Sequence, residues 1–274
     1  MPGGAGREAY AAAAERLNEV LGRADAATVG TAADEILAAA VMLGREPRLR
    51  RALVDPSRAA DERAGLLRTL LSGKVSDTAV ELLATLVSGR FSAPSELLDA
   101  AERLGVEALL AGADSVGELA EVEDELFRFG HVADANPALA GALGDSTTPV
   151  DQRMTLVREL LEGKALPVTV RLVQVALAGF GGRSVTGGLS RLVELAAERR
   201  DRQIAYVTVA APISDGDEQR LGAKLSELYR REVSVKVSVE PRVLGGMSVR
   251  VGSDLYDGTI LRRLNETRHA LTGR

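Results

Sequence analysis

The feature that most constrains this chain is an internal repeat. Shifted by 90 residues, the segment from Asp34 to Gly89 falls without gaps onto Asp124 to Gly179, with 18 identities in 56 positions. The identities include Asp34/Asp124, Glu35/Glu125, Leu53/Leu143, Asp55/Asp145, Arg63/Arg153, Leu70/Leu160, Gly73/Gly163, Lys74/Lys164 and Gly89/Gly179. A fixed period of this kind means one supersecondary unit used more than once. The unit is helical, because Leu66, Leu67, Leu70 and Leu71 recur at the spacing of one helix face, as do Leu156, Val157, Leu160 and Leu161. Gly73 and Gly163 follow these stripes where a helix end favours positive φ, and the adjacent lysines suit the C-terminal dipole. The repeat predicts two related helical bundles. Ahead of them, Tyr10, Ala13, Ala14, Leu17, Val20 and Leu21 place an amphipathic helix over Arg7 to Leu21.

After Arg202 the period falls from 3.6 to 2. Gln203 to Ala210 reads as a strand rich in Ile, Val, Tyr and Thr, closed by Pro212. Ser214, with Asp217 three residues on, marks a helix N-cap, and Leu221, Leu225 and Leu228 supply that helix's apolar face. Val233, Val235, Val237 and Val239 then alternate with Ser234, Lys236 and Ser238, predicting a strand with one buried and one wet side. Met247, Val249 and Val251 continue the alternation after Pro241 to Gly246, so the two runs read as a hairpin. Asp257-Gly258-Thr259 reads as a turn into a last helix carrying Ile260, Leu261, Leu264 and Leu271. The predicted class is α+β and mostly α, with two tandem bundles at 1–105 and 106–200 and a small β-α-β-β-α domain at 201–274.

Composition excludes several chemistries. With 274 residues the chain can bury cores without staples. It has no cysteine, which excludes disulfides, thiolate metal sites and cysteine nucleophiles, and its two histidines, His131 and His269, cannot build a histidine-rich site. Aromatic residues are 3% with no Trp, too few for base-stacking platforms. A net charge of -5 argues against nucleic acid and against membrane binding by bulk charge. Residues 1–189 carry 19 basic and 27 acidic side chains against 15 and 12 in 190–274, so only the tail is mildly basic. No run of about 18 uninterrupted apolar residues predicts a bilayer span, and the N-terminus lacks the basic head and apolar core of a secretory signal. Arginine outnumbers lysine 30 to 4, a bias that points to a GC-rich genome rather than to chemistry.

Nothing in the chain assembles into a catalytic constellation. A phosphate-binding loop ending at Gly73-Lys74 or Gly163-Lys164 would need glycine at 68 or 158, where arginine stands. Gly179-Phe180-Gly181-Gly182-Arg183-Ser184 breaks the dinucleotide spacing at Ser184 and reads as a loop between helices. Asp254 and Asp257 read as a turn and cap rather than an acid–base pair. Arg199, Arg200 and Arg202 read as a solvated helix end flanked by Glu198 and Asp201. No cofactor, metal or small-molecule ligand is expected.

The positive signal lies between Leu244 and Ile260. Gly245, Gly246, Arg250, Gly252, Asp257, Gly258 and Thr259 resemble the signature of the F-type ATP synthase delta subunit, the oligomycin-sensitivity-conferring protein family. Glu198-Arg199-Arg200, the Pro212-Ile213-Ser214 helix entry and the Val233 to Val239 strand stand in the same order as in that family. The Tyr10 to Leu17 helix, Pro47-x-Leu49-x-x-x-Leu53 and Gly89-Arg90-Phe91 are similar to its helical domain. Family members usually carry one bundle, and this chain's two resemble the extended form of actinobacteria. The resemblance implies a non-catalytic stator on the cytoplasmic face of the plasma membrane, held there through its complex. The bundle would take an N-terminal helix of an alpha subunit into a groove between its first and fifth helices, here Tyr10, Ala13, Ala14 and Leu17 facing Val80, Leu83, Ala84 and Val87. The tail would hold the b-subunit stalk, through Leu261, Leu264 and Leu271. From the residues alone the alternative is a free-standing helical-repeat adaptor or regulatory protein.

Overall fold

The computed structural model describes residues 4–21, 23–200, 202–229, 232–240, 246–251 and 254–258. The chain divides into two compact units, Met1–Val193 and Glu194–Arg274. The first holds α1 (Gly4–Leu21), α2 (Ala26–Arg45), α3 (Pro47–Val54), α4 (Ala60–Leu71), α5 (Asp77–Ser88), α6 (Pro94–Ser115), α7 (Leu119–Ala135), α8 (Pro137–Gly144), α9 (Val150–Leu161) and α10 (Pro167–Leu177). A single 3-10 turn, Phe180–Gly182, then leads into α11 (Val185–Arg199).

The sequence period is also a structural one. The helices α3 and α8, and likewise α4 and α9, begin and end 90 residues apart, and α5 and α10 begin 90 apart. So do α1 and α6, which makes α6 the sixth helix of the first copy and the first helix of the second. The boundary expected at 105/106 falls inside it. Equivalent positions are buried alike: Leu53 is 0% and Leu143 1% exposed, while Leu67 and Val157 are both sealed. Leu70 and Leu160 are both half-buried. Gly73 and Gly163 take φ of 69 and 67°, and the next amide in each copy, Lys74 and Lys164, donates back to Leu71 and Leu161 at 3.0 Å. At these positions equal spacing has buried equivalent faces, while Leu71 and Arg63 are buried more deeply than Leu161 and Arg153.

The core of the first copy is the packing of α2 against α6. By length and mean apolar composition α2 could cross a membrane, although Asp34 and Glu35 interrupt its apolar run as the sequence reading requires. Its apolarity has another use: Val29, Ala32, Ala33, Ile36, Ala39, Ala40 and Leu43 are each at most 4% exposed within the bundle. A helix flanked on most sides by other helices needs more apolar surface than a one-sided stripe.

In the second unit, β1 (Arg202–Val209), β2 (Glu232–Val239), β3 (Met247–Val251) and β4 (Asp254–Asp257) form one sheet in the order β2-β1-β3-β4, and α12 (Asp215–Tyr229) connects β1 to β2. Its core is Ala205, Val207, Val209, Leu225, Val233, Val249 and Val251, with Val235 and Val237 packed against it. The Ser214 cap is present: its hydroxyl accepts the Asp217 amide at 3.2 Å and donates to the Asp217 carboxylate at 2.6 Å.

Several expectations for this unit are corrected. The runs at 232–240 and 247–251 do not pair as a hairpin; β2 runs parallel to β1 and β3 antiparallel to β1 on its other side. Because β1 carries three sealed residues, Ala205, Val207 and Val209, it takes the central position and its neighbours cannot meet. Asp254 and Asp257 lie in a strand, paired with Val251 and Ser248, not in a turn before a helix. The separation of β3 from β4 by only Gly252 and Ser253 was the overlooked hairpin signal. On α12 the inward stripe is Leu221, Leu225 and Tyr229, while Leu228 is 62% exposed, because i, i+4, i+8 tracks one face and position 228 turns away from it. Val239, at the end of β2, is 37% exposed, and Lys236, on the face opposite the core, is 8% exposed instead of wet. The expected last helix, with Thr259, Ile260, Leu261, Leu264, His269 and Leu271, lies outside the described residues.

Candidate functional site

The residues expected to wall a groove all come together where α1 meets α5, and most of them are already used. Ala13 and Leu17 of α1 and Leu83, Ala84 and Val87 of α5 are at most 2% exposed, so they weld the two helices to each other. Tyr10, Ala14 and Val80 are half-buried and form the open edge of that seam. The helices approach closely because Gly89, at the end of α5, has no side chain: a Cβ there would fall 2.2 Å from the Ala9 Cβ. Its equivalent Gly179 is glycine for another reason, a φ of 91°. Arg16 spans the seam, pairing with Glu81 at 2.6 Å and with Glu19 on its own helix. All three side chains are substantially exposed, so water and salt screen these pairs and they add little to stability.

Tyr10 fixes the inner side of the edge. The Arg103 guanidinium of α6 lies 4.5 Å above its ring, a cation–π contact that ties α1 to α6. Burial pushes the Tyr10 phenol well above its usual range, with Glu107 adding to the shift and Arg103 opposing it.

Two side chains that the sequence showed only as repeat identities hold α5 in place. The Glu35 carboxylate of α2 accepts the Ser76 amide at 2.9 Å and the Ser76 hydroxyl, while the Ser76 oxygen caps Ala79 at 3.3 Å. At the other end, buried Arg63 donates to the carbonyls of Val87, Ser88 and Gly89 at 3.2, 2.9 and 2.8 Å. A cation on the last carbonyls of a helix satisfies orphan acceptors and complements the dipole. The second copy repeats the first device, Glu125 taking the Leu166 amide at 3.0 Å and the Thr169 hydroxyl. It does not repeat the second, since Arg153 reaches the Leu143 carbonyl at 2.9 Å instead.

In the second copy the positions equivalent to the open edge are Ala100, Leu104 and Val170, apolar as well, with Ala100 and Leu104 sealed. The seam positions are what differ: Ala13, Leu17 and Ala84 become Arg103, Glu107 and Gln174, and Arg103 is turned toward Tyr10 of α1.

In the tail the signature residues serve the sheet. Gly246 takes φ of 80° at the entry to β3. Arg250 lies on β3 with its guanidinium 5.2 Å from the Tyr206 ring, and the Gly258 amide, just past Asp257, donates to the Met247 carbonyl at 2.9 Å and closes the β3–β4 pair. Gly245, Gly252 and Thr259 are outside the described residues. Among the described residues no three His, Cys, Asp or Glu side chains are grouped to hold a metal. His131 is exposed on α7 beside Phe127, with ring centroids 6.4 Å apart. The Gly179 to Ser184 segment is the expected interhelical loop, anchored by the Gly181 amide donating to Glu102 at 2.9 Å.

Residues 106–271 match the family described as the ATP synthase delta (OSCP) subunit. The chain belongs to that family. It is 64% identical to the ATP synthase subunit delta of Salinispora arenicola and 62% identical to that of Salinispora tropica, each over the whole of both chains. It is 44% identical to that of Streptomyces avermitilis over 98% of each. These full-length matches mean that the relatives share the extra bundle, whereas the family match itself begins inside α6 and takes in the second copy and the tail. As a delta/OSCP member the chain is a non-catalytic stator subunit with a peripheral-stalk role in a rotary ATP synthase.

Proposed function

We propose that the chain ties the catalytic head of the synthase to its b-subunit stalk and resists rotor torque during proton-driven ATP synthesis, from the cytoplasmic face of the plasma membrane. The observation that carries this reading is the end-to-end likeness to subunit delta sequences. The two helical bundles, which share α6, provide stiffness, since closely packed helices transmit strain instead of absorbing it. The open edge of α1 and α5, at Tyr10, Ala14 and Val80, receives an amphipathic N-terminal helix of an alpha subunit. The tail, with Leu261, Leu264 and Leu271, receives the end of b. Small Ala14 leaves room for a third helix to approach.

A second reading of the head contact is favoured by one observation, the family match over residues 106–271. In that reading the alpha helix sits on α6 and α10, and the first bundle is the added part. Calorimetry with an alpha N-terminal peptide separates the two. Ala14→Trp and Val80→Arg abolish binding if the first edge is used, and Val170→Arg abolishes it if the second is. A chain that fails to copurify with alpha and b overturns the stator reading altogether and favours a free-standing adaptor.

A further inference from the structure

The second bundle carries an apolar cleft whose chemistry the first bundle does not repeat. Phe129 and Val132 of α7, Leu139 of α8, Leu160 and Leu161 of α9 and the adjoining Ala165 line an open cavity of about 380 Å³. Val132 is 56% exposed, so the cleft floor reaches water. Arg128 and Lys164 stand at its rim. Arg128 donates to the Asp124 carbonyl at 3.4 Å and Lys164 to the Leu160 carbonyl at 3.2 Å, and neither forms an ion pair with a carboxylate among the described residues. The third charged group, Glu125, is buried, and its oxygens are occupied by the Leu166 amide and the Thr169 hydroxyl. The result is an apolar floor between two exposed cations that have no ion-pair partner among the described residues, above one buried carboxylate.

The repeat supplies an internal comparison. Ninety residues earlier, Ala39 stands for Phe129, Ala38 for Arg128, and only Lys74 preserves a rim cation. The first copy therefore keeps the helix end and lacks the cation pair.

We propose that this cleft is a docking site for an amphipathic helix of a partner protein, one that carries carboxylates beside its apolar stripe. The cleft runs between the walls of α7 and α9, and a third helix seats its ridge of side chains into such a trough. The rim cations select the acidic partner and speed its encounter, and like charges there would be rejected. This inference does not depend on which edge receives the alpha helix, because the α7–α9 cleft is separate from both.

The test uses the full chain and a pair of labelled peptides of about 20 residues, long enough for a stable amphipathic helix. One has Leu at i, i+3, i+4 and i+7 flanked by Glu; its twin has Lys at every Glu position. Fluorescence anisotropy should show the acidic peptide binding and the basic twin binding at least about tenfold more weakly, with the difference shrinking at high salt. The double variant Arg128→Glu with Lys164→Glu should reverse the preference. Val132→Arg should abolish binding, and Lys74→Glu, the same helix end in the first copy, should change nothing. The substituted side chains are exposed, so far-UV circular dichroism should match the parent. Equal affinity for the two peptides, no binding of the acidic one, or equal loss in Lys74→Glu would each overturn the proposal. So would self-association in sedimentation that the double variant removes, which would seat a second copy in the cleft.

Discussion

The two arginines Arg63 and Arg153 occupy equivalent positions and do different work, which gives a paired perturbation inside one molecule. Arg63 is 5% exposed and donates to Val87, Ser88 and Gly89, and also to the Arg58 and Asp55 carbonyls at 2.8 and 3.4 Å. Replacing it by Met keeps much of the apolar stem and removes every donor, leaving the end of α5 uncapped. A hydrogen bond to a charged group contributes about 1.5–3 kcal/mol. Five bonds sharing one guanidinium are not additive, so the total is taken as about two of them, roughly 3–5 kcal/mol. Arg153 makes one such bond, to Leu143 at 2.9 Å, so Arg153→Met should cost about 1–2 kcal/mol. For a cooperative unit of this size each kcal/mol lowers Tm by about 2–4 °C. Thermal melts followed by far-UV circular dichroism should therefore show a fall of about 10 °C for Arg63→Met and a few degrees for Arg153→Met. Equal falls would refute the reasoning, because they would mean that the bonds to α5 contribute nothing beyond what the position itself requires.

Val207→Asp should unfold the tail sheet, since Val207 is fully buried on the central strand and an unpaired carboxylate there costs several kcal/mol, about 2–7 for an uncompensated polar group; a melt like the parent's would remove β1 from the core. Gly89→Ala should lift α1 from α5, a defect partly relieved by Ala9→Gly, whereas Gly179→Ala should cost about 1–2 kcal/mol of left-handed strain that no neighbour relieves; equal response to second-site changes would contradict the two roles. The Asp145 carboxyl is held down to about 2 from 3.8 by the hydroxyls of Thr148 and Thr147 and the Thr147 amide. A depressed carboxyl contributes stability that is complete above its unfolded value of 3.8 and is lost as pH falls through about 2. Asp145→Asn should accordingly flatten the stability profile between those values, and an unchanged acid limb in pH-dependent melts would show the turn to be irrelevant.

Periodicity is a one-dimensional property, and everything it decides was legible in the chain. The 90-residue offset, the stripes at Leu66–Leu71 and Leu156–Leu161, the Gly73 and Gly163 helix ends and the Ser214 cap depend on neighbours within a turn or two, so composition and spacing specify them. The tail's signature residues were equally readable, because Gly246 and Gly258 answer to local backbone geometry. Which strand stands in the middle of a sheet is a different kind of question. Strands β2 and β3 alternate as well as any hairpin pair, yet the three sealed residues of β1 claim the centre, and only the competition among all four strands for one core settles it. The same holds for the α1–α5 edge proposed to receive the alpha helix. Spacing put Ala13, Leu17, Leu83 and Val87 on facing stripes and could not say that those stripes would close on each other, leaving Tyr10, Ala14 and Val80 as the open rim. Glu35, Glu125 and Arg63 stood in the sequence as repeated charges; the partners by which they hold α5 and α10 are amides, hydroxyls and carbonyls more than twenty residues away. Long-range hydrogen bonds leave no periodic trace, so the tertiary structure alone assigns them.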